Sequence, residues 1–104
     1  MPVFTLTEKA KADLKDIARF TQKRWGREQR NKYLELLDGS FHKLAGNPLI
    51  GRDCSDVKTG YRKFPTGSHV IYFRSRSATE IEIVRVLHES MDVEIQLSGK
   101  DETH

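Results

Sequence analysis

The segment 80–92, EIEIVRVLHESMD, opens with the clearest strand pattern in the chain. Ile81 and Ile83 point to one face and Val84 and Val86 to the other, so both faces are apolar. A period of two with apolar residues on both sides is typical of a central strand that is covered above and below. We therefore predict that this strand is the spine of a small sheet and that functional residues lie where it ends.

Arg85 interrupts this apolar pattern. Strict alternation places it on the face that carries Ile81, Ile83 and Leu87. A buried guanidinium is costly unless it finds an acceptor. We expect Asp92 or a neighbouring backbone carbonyl to hold it and to fix how the chain leaves the sheet.

Two segments before this strand carry apolar residues at helical spacing and predict a helical hairpin. Thr7 is a good N-cap for the first helix, which Gly26 ends. The second helix begins almost at once and stops at Gly46-Asn47-Pro48. Because the joint is so short, the helices must pack side by side. The apolar stripes are Ala10, Leu14, Ile17, Ala18, Thr21 and Trp25 in the first helix, and Tyr33, Leu34, Leu37, Phe41 and Leu44 in the second.

The remaining segments predict short strands and turns. A strand candidate at Val3–Leu6 precedes the helices, and strands at 61–64 and His69–Ser75 are joined by a hairpin at 65–68. Residues 49–60 show little periodicity and are predicted to be a loop. Beyond the last strand, 92–97 could form one or two helical turns, and 98–104 is expected to fray.

The predicted order is β-α-α-β-β-β, an α+β fold in which a helical hairpin packs on a small, mainly antiparallel sheet. Spacing alone does not place the first strand in that sheet. We expect a single domain over 1–97. The residues predicted to be buried together are Leu14, Ile17, Leu37, Phe41, Leu44, Ile71, Phe73, Ile83 and Val86.

Composition excludes several classes of protein. The 104 residues are 37% hydrophobic and 32% charged, which indicates one domain with a well-solvated surface. No apolar run approaches the roughly 20 residues of a membrane span, and no signal peptide opens the chain. Cys54 is the only cysteine, in what looks like an exposed loop, so no internal disulfide is possible. The sequence contains no metal-binding motif and no phosphate-cradling glycine loop, so we expect neither metal nor cofactor.

The net charge of +3 is unevenly distributed. Most of the basic excess lies in 19–32, RFTQKRWGREQRNK, near the joint of the helical hairpin. Such a patch favours the binding of nucleic acid or of an acidic protein segment. The alternative is a solvated helix surface.

Basic residues of the predicted sheet are the candidates for chemistry on a phosphate, which needs a base, an acid and cations. If their side chains converge on one face, they make an anion site. The alternative is that they shield sheet edges and pair with Glu80 or Glu82, while the histidine binds backbone at a strand end. The candidates are Arg62, Lys63, Arg74, Arg85 and His88.

Other aromatic and histidine side chains favour structural roles. Phe20 and Trp25 are at helical spacing, which favours the core over a contact surface. His69 lies at the start of a strand and favours a structural role too. Tyr61 and Tyr72 are strand aromatics of the same kind.

An ordered set of motifs makes the chain resemble the ParE toxins, a branch of the RelE/ParE superfamily of bacterial toxin–antitoxin systems. The set spans residues 4 to 95, and its Leu-His-xx-Met-Asp end after the last strand is the specific part. The matching pieces are Asp13-Leu14 with Ile17; Trp25-Gly26 with Gln29, Tyr33 and Leu34; Leu44-Ala45 with Pro48, Gly51 and Arg52; Gly60-Tyr61-Arg62; SHVIYFR at 68–74; and IEIVRVLH at 81–88 with Met91-Asp92.

The resemblance implies a cytoplasmic toxin that traps DNA gyrase and arrests growth, encoded by a plasmid or chromosomal stability module. It implies no enzyme activity, a ParD-like antitoxin partner, no membrane partner, and contact with DNA only through gyrase or the antitoxin. We expect the target to be bound by Arg74, Arg85, His88, Met91 and Asp92. We expect the antitoxin to be bound by Arg19, Phe20, Lys23, Trp25, Arg27 and Arg30.

Two other functions stay open. One is a ribosome-dependent mRNA endoribonuclease of RelE type that uses Arg62, Arg74, Arg85 and His88. The ribonuclease branch usually has a tyrosine near the end of the last strand, and this sequence has none after Tyr72. The other is an inactive toxin that survives as an antitoxin-binding module.

Overall fold

The computed structural model describes residues 3–91, in which two helices pack on one face of a five-stranded sheet. The helical hairpin and the β-α-α-β-β-β order are confirmed, with one short strand added. The elements are β1 Val3–Leu6, α1 Glu8–Trp25, α2 Arg27–Gly46, a 3₁₀ turn Pro48–Ile50, β2 Arg52–Asp53, β3 Arg62–Thr66, β4 His69–Ser75 and β5 Glu80–His88.

Local chemistry sets the ends of both helices. The Thr7 hydroxyl accepts a hydrogen bond from the Ala10 backbone N–H at 3.0 Å, which is the predicted N-cap. Gly26 separates the helices with a φ of 97°, a backbone conformation that residues with a Cβ rarely adopt. Neither α1 nor α2 is long and apolar enough to cross a membrane.

The sheet has the strand order β1-β5-β4-β3-β2. β1 pairs in parallel with β5, and Val3 lies opposite Glu80. All other neighbours are antiparallel. The edge strand β2 falls inside the segment predicted to be a loop, because two exposed residues carry no periodic signal. The β3–β4 turn is tighter than predicted, since pairing continues to Thr66 opposite His69.

A β-bulge in β5 corrects the predicted faces of this strand. Pairing with β4 shifts between Tyr72 and Phe73, so Val84 has no residue opposite it. Ile81 and Ile83 therefore share the helix-facing core with Val86, whereas Leu87 packs on the other face. The prediction that Leu87 shares a face with Ile81 and Ile83 is wrong, because it assumed strict alternation.

The main core lies between the helices and the sheet. All nine residues predicted to be buried together lie in this cluster or pack against it. Leu37, Leu44, Ile71, Phe73 and Ile83 are fully buried. Burial of side chains from both layers is what holds the hairpin to the sheet.

A second, smaller cluster covers the opposite face of the sheet. It contains Cys54, Tyr61, Tyr72 and Leu87. Cys54 is 2% exposed, so its predicted position in an exposed loop is wrong. Burial raises the pKa of its thiol. β5 is thus covered on both faces, as its pattern predicted.

Candidate protein-binding groove

A groove of about 830 Å³ runs between the helical hairpin and the end of the sheet where β4 begins and β5 ends. Its walls are mostly apolar, with histidine, tyrosine and serine side chains at the sheet end. The lining residues are Asp16, Ile17, Phe20, Thr21, Trp25, Gln29, Tyr33, Ser68, His69, His88, Ser90 and Met91.

Tyr33 joins the helical wall of the groove to the sheet. Its hydroxyl accepts a hydrogen bond from the Ser68 backbone N–H at 3.0 Å and lies 2.6 Å from His69 Nδ1. Burial, opposed by the Ser68 N–H and reinforced by the Glu89 carboxylate, raises the pKa of Tyr33. The tyrosine is therefore neutral and acts as a hydrogen-bonding anchor.

His69 and His88 form a pair on neighbouring strands. They are opposite each other in the β4–β5 register, and their rings pack edge to face with centroids 5.4 Å apart. Burial lowers the pKa of His69, and the nearby His88 lowers it further, while Asp13 and Glu89 act in the opposite direction.

The chain turns back immediately after β5. The Ser90 backbone N–H donates to His88 Nδ1 at 3.1 Å, and the Met91 N–H donates to the His88 carbonyl at 2.9 Å. These bonds hold Met91, which is 49% exposed, against the groove. A flexible thioether suits an adaptable binding surface.

Two aromatic side chains on α1 line the groove and face solvent. Phe20 is 64% and Trp25 65% exposed, so the preference for a core position is wrong for both. Helical spacing places them on the edge of the apolar stripe, beyond the reach of the sheet. Because both line one mostly apolar groove, they belong to a contiguous exposed patch, which is typical of protein-binding surfaces.

Basic side chains surround the helical end of the groove. Arg19 pairs with Asp16 at 3.2 Å, and Arg30 Nη1 donates to Gln22 of α1. The Arg24 guanidinium lies 5.5 Å from the centroid of the Trp25 ring. The exposed basic residues of this helical end are Arg19, Lys23, Arg24 and Arg27. We call them, with Arg30, the basic tip.

The three candidate arginines bind three separate acceptors. Arg62 Nη1 donates to the Gly51 carbonyl at 2.7 Å, and Arg74 Nε pairs with Glu82 at 2.8 Å. Arg85 is paired with Asp13 of α1 at 2.8 Å. The Arg74 contact is the carboxylate pairing weighed as the alternative to an anion site.

Asp13 is an acceptor of Arg85 that the sequence analysis did not name. Its carboxylate binds the guanidinium with both oxygens and accepts the Val86 N–H at 2.9 Å. Arg85 thus fixes α1 to β5. Asp92, the acceptor named from the sequence, lies outside the described residues and stays a prediction, as do the turn at 92–97 and the tail at 98–104.

The sequence analysis assigned two sets of residues to separate surfaces, and the structure brings two members of each set together. Phe20 and Trp25 were assigned to antitoxin binding, and His88 and Met91 to target binding. All four line one groove. Tyr33 and His69 were missed as site residues. The strand pattern did contain a signal for His69. The first residue of one antiparallel strand lies opposite the last residue of the next strand, so His69 is expected beside the end of the last strand.

Comparison with known proteins identifies the family. Residues 4–93 match the family model described as the ParE toxin of the type II toxin–antitoxin system parDE. The chain belongs to the ParE toxin family. It is 40% identical to Toxin ParE1 of Mycobacterium tuberculosis over 94 residues, covering 90% of this chain and 96% of the relative. It is 37% identical to Toxin ParE1 of Caulobacter vibrioides over 97 residues, covering 93% of this chain and 99% of the relative.

A solved structure shares the ParE fold. The structure titled "Chromosomal ParDE TA system from P. aeruginosa" matches with a TM-score of 0.72 and 23% identity. The match covers 85% of this chain and 96% of that chain. The likeness supports the fold described above, and the ParE family identity rests on the sequence matches.

Proposed function

We propose that this ParE-family toxin acts by binding DNA gyrase and that a ParD-like antitoxin neutralises it by occupying the groove. Family membership supports the toxin role. The observation that carries the binding mode is the apolar groove beside the basic tip. The proposed target makes the cytoplasm the site of action, and the toxin acts by binding and not by catalysis.

The groove and the basic tip favour an antitoxin segment with two kinds of side chain. Apolar residues would cover Phe20 and Trp25, whose exposed rings gain most from removal from water. Acidic residues would face the basic tip, where solvent weakens each contact. A disordered tail that folds on binding can satisfy both. Its affinity is therefore expected to fall as salt rises.

Occlusion is the proposed route of neutralisation. His88 and Met91, predicted to contact the target, line the same groove as Phe20 and Trp25. An antitoxin seated there covers them. In this proposal Arg85 positions the end of β5 through Asp13, while Arg74, paired with Glu82 on the sheet, is the arginine available at the surface. Asp92 remains a proposed contact.

DNA supercoiling by purified gyrase tests the target. We expect this protein to inhibit supercoiling and to increase cleaved DNA, and we expect added ParD-like antitoxin to reverse both effects. Gyrase that is unaffected at toxin concentrations which saturate the antitoxin would contradict the target. That result would leave an inactive toxin that binds only the antitoxin.

Substitutions in the groove test the antitoxin site. Trp25→Ala is expected to weaken antitoxin binding by about 1–3 kcal/mol, the range of an aromatic anchor. Leu49→Ala is the matched control, because Leu49 is 75% exposed and does not line the groove. Calorimetry that gives equal affinities for both variants would place the antitoxin elsewhere.

A second candidate function is mRNA cleavage, which the Tyr33–His69–His88 cluster favours, because it places two imidazoles and a phenol side by side. Against it, the groove lining includes no lysine or arginine among the described residues, and a cleaved phosphate needs cations. Incubation of the toxin with translating ribosomes and mRNA separates the two functions. Cleavage that His88→Ala abolishes, with gyrase binding intact, would replace the gyrase proposal.

A further inference from the structure

The His69–His88 pair lies in the groove, and the binding described above makes no use of the charge of either ring. Both rings line the groove wall, 5.4 Å apart between centroids. Histidine is the side chain whose charge changes most readily near neutral pH. Two such rings inside a mostly apolar groove couple the groove to proton concentration.

Ser90 makes two contacts with the same nitrogen of His88. Its backbone N–H donates to His88 Nδ1 at 3.1 Å, and its hydroxyl oxygen lies 2.7 Å from Nδ1. A neutral ring with its proton on Nε2 accepts from both groups. A proton on Nδ1 would be donated to the Ser90 hydroxyl, and the Ser90 N–H would lose this acceptor. Protonation therefore removes one of the two contacts in the turn that carries Met91.

The same logic applies to His69. The Tyr33 hydroxyl accepts from the Ser68 N–H, and its own hydrogen is directed to His69 Nδ1 at 2.6 Å in preference to the Thr66 carbonyl at 3.4 Å. Neutral His69 can thus accept from Tyr33. A proton on Nδ1 would turn the Tyr33 hydroxyl hydrogen to the Thr66 carbonyl, so that Tyr33 donates across the longer of its two contacts.

The titratable neighbours of the pair come from three parts of the fold. Asp13 and Asp16 belong to α1, Tyr33 to α2, and Glu89 follows β5. Asp13 is engaged by Arg85 and Asp16 by Arg19, so both carboxylates are already paired. Glu89 is exposed and acts through solvent. These acids do not offset the burial of two imidazolium ions under an apolar partner segment.

We propose that the His69–His88 pair makes occupation of the groove acid-labile, so that protonation releases the antitoxin segment. This regulation rests on the proposed antitoxin site. Two effects act in the same direction. Acid opposes the Ser90 bond that positions Met91, and it charges two rings that the partner removes from water.

The test is calorimetric affinity of the toxin for a purified ParD-type antitoxin at about pH 8 and about pH 5.5, on either side of the ordinary histidine pKa. We expect affinity at least about tenfold weaker at the lower pH, the equivalent of one unit of pKa shift. His69→Asn and His88→Asn remove both ionisable rings, and the Asn side-chain oxygen can replace Nδ1 as an acceptor. The double variant is expected to bind with little pH dependence.

His42→Asn is the matched control. His42 lies on the exposed surface of α2, bonded to the Asp38 carbonyl and outside the groove, so this variant should keep the full pH dependence. Equal affinities of the unsubstituted toxin at both pH values overturn the inference. So does a pH dependence that survives in the double variant, because the antitoxin's own groups would then carry it.

The two proposals fail separately. If Trp25→Ala and Leu49→Ala bind the antitoxin with equal affinity at about pH 8, the proposed groove site is itself wrong. Nuclear magnetic resonance of the toxin alone gives a reading that needs no partner. The Ser90 amide signal should shift or broaden between about pH 8 and about pH 5.5, and an unmoved signal would overturn the role of the turn.

Discussion

The Asp13 carboxylate accepts two hydrogen bonds from the Arg85 guanidinium, one from Nε at 2.8 Å and one from Nη2 at 2.9 Å. Both side chains are only 13% exposed. The pair spans 72 positions of sequence and ties α1 to the central strand beside the groove. It satisfies a guanidinium that would be costly to bury alone.

Asp13→Ala is expected to destabilise the fold by about 3 kcal/mol, because it leaves a largely buried guanidinium and the Val86 N–H without this acceptor. Asp16→Ala is the control. Asp16 is one helical turn away and pairs with Arg19 in solvent, so its loss should cost less than about 0.5 kcal/mol. Urea unfolding measures both. Similar costs would mean that the Asp13 pair is no stronger than a surface one.

Truncation of the main core is expected to cost far more than truncation of a neighbouring surface site. Leu37→Ala and Ile83→Ala remove fully buried side chains and should each cost about 2–5 kcal/mol. Leu36→Ala, at a half-exposed position on the same helix, should cost much less. Losses under about 1 kcal/mol at both buried sites would contradict the packing of the hairpin on the sheet.

Two glycines are expected to respond to alanine with opposite signs. Gly67 has a φ of 59°, and a Cβ there would lie 2.6 Å from the Tyr33 hydroxyl oxygen, so Gly67→Ala should destabilise by about 1–3 kcal/mol. Gly39 is inside α2 with open space around it, so Gly39→Ala should stabilise by up to about 1 kcal/mol. Thermal unfolding ranks the two variants. A stabilising Gly67→Ala would contradict the close approach of Tyr33.

Stability is expected to fall as pH falls below the ordinary histidine range. The pKa of His69 is lowered in the folded chain, chiefly by burial, so the unfolded chain binds more protons there. The stabilisation that comes from neutral His69 is fully present above the unfolded pKa of about 6.5. It is lost as the pH drops from there towards the folded pKa. Urea midpoints of the original chain and of His69→Asn, compared between about pH 8 and about pH 5.5, measure it. If the urea midpoints of the two chains changed equally with pH, this pH dependence would not come from His69.

Much of the fold follows from the sequence because its signals are local. The N-cap of Thr7, the break at Gly26 and the extent of β4 all depend on a few neighbouring residues. The parallel partner of β1 does not, since pairing with β5 is decided by packing across the whole chain. The bulge at Val84 is likewise invisible in a pattern that assumes alternation.

The candidate site was predictable in composition but not in shape. The basic excess near the hairpin joint and the polar-plus-Met end of β5 could both be read from the residues. That they border one groove could not, because it depends on how far the hairpin overhangs the sheet. Phe20 and Trp25 show the same limit. Helical spacing identifies an apolar stripe but does not say how much of that stripe the sheet covers.

The parallel pairing of β1 with β5 also sets the order in which a growing chain can mature. Val3 must wait for Glu80, and the groove wall formed by His88 is among the last described parts to be synthesised. Contacts this distant in sequence slow folding, and the sheet cannot be completed before β5 is present. A chain that stops before β5 therefore includes both helices but lacks the partner strand of β1 and the groove wall at His88.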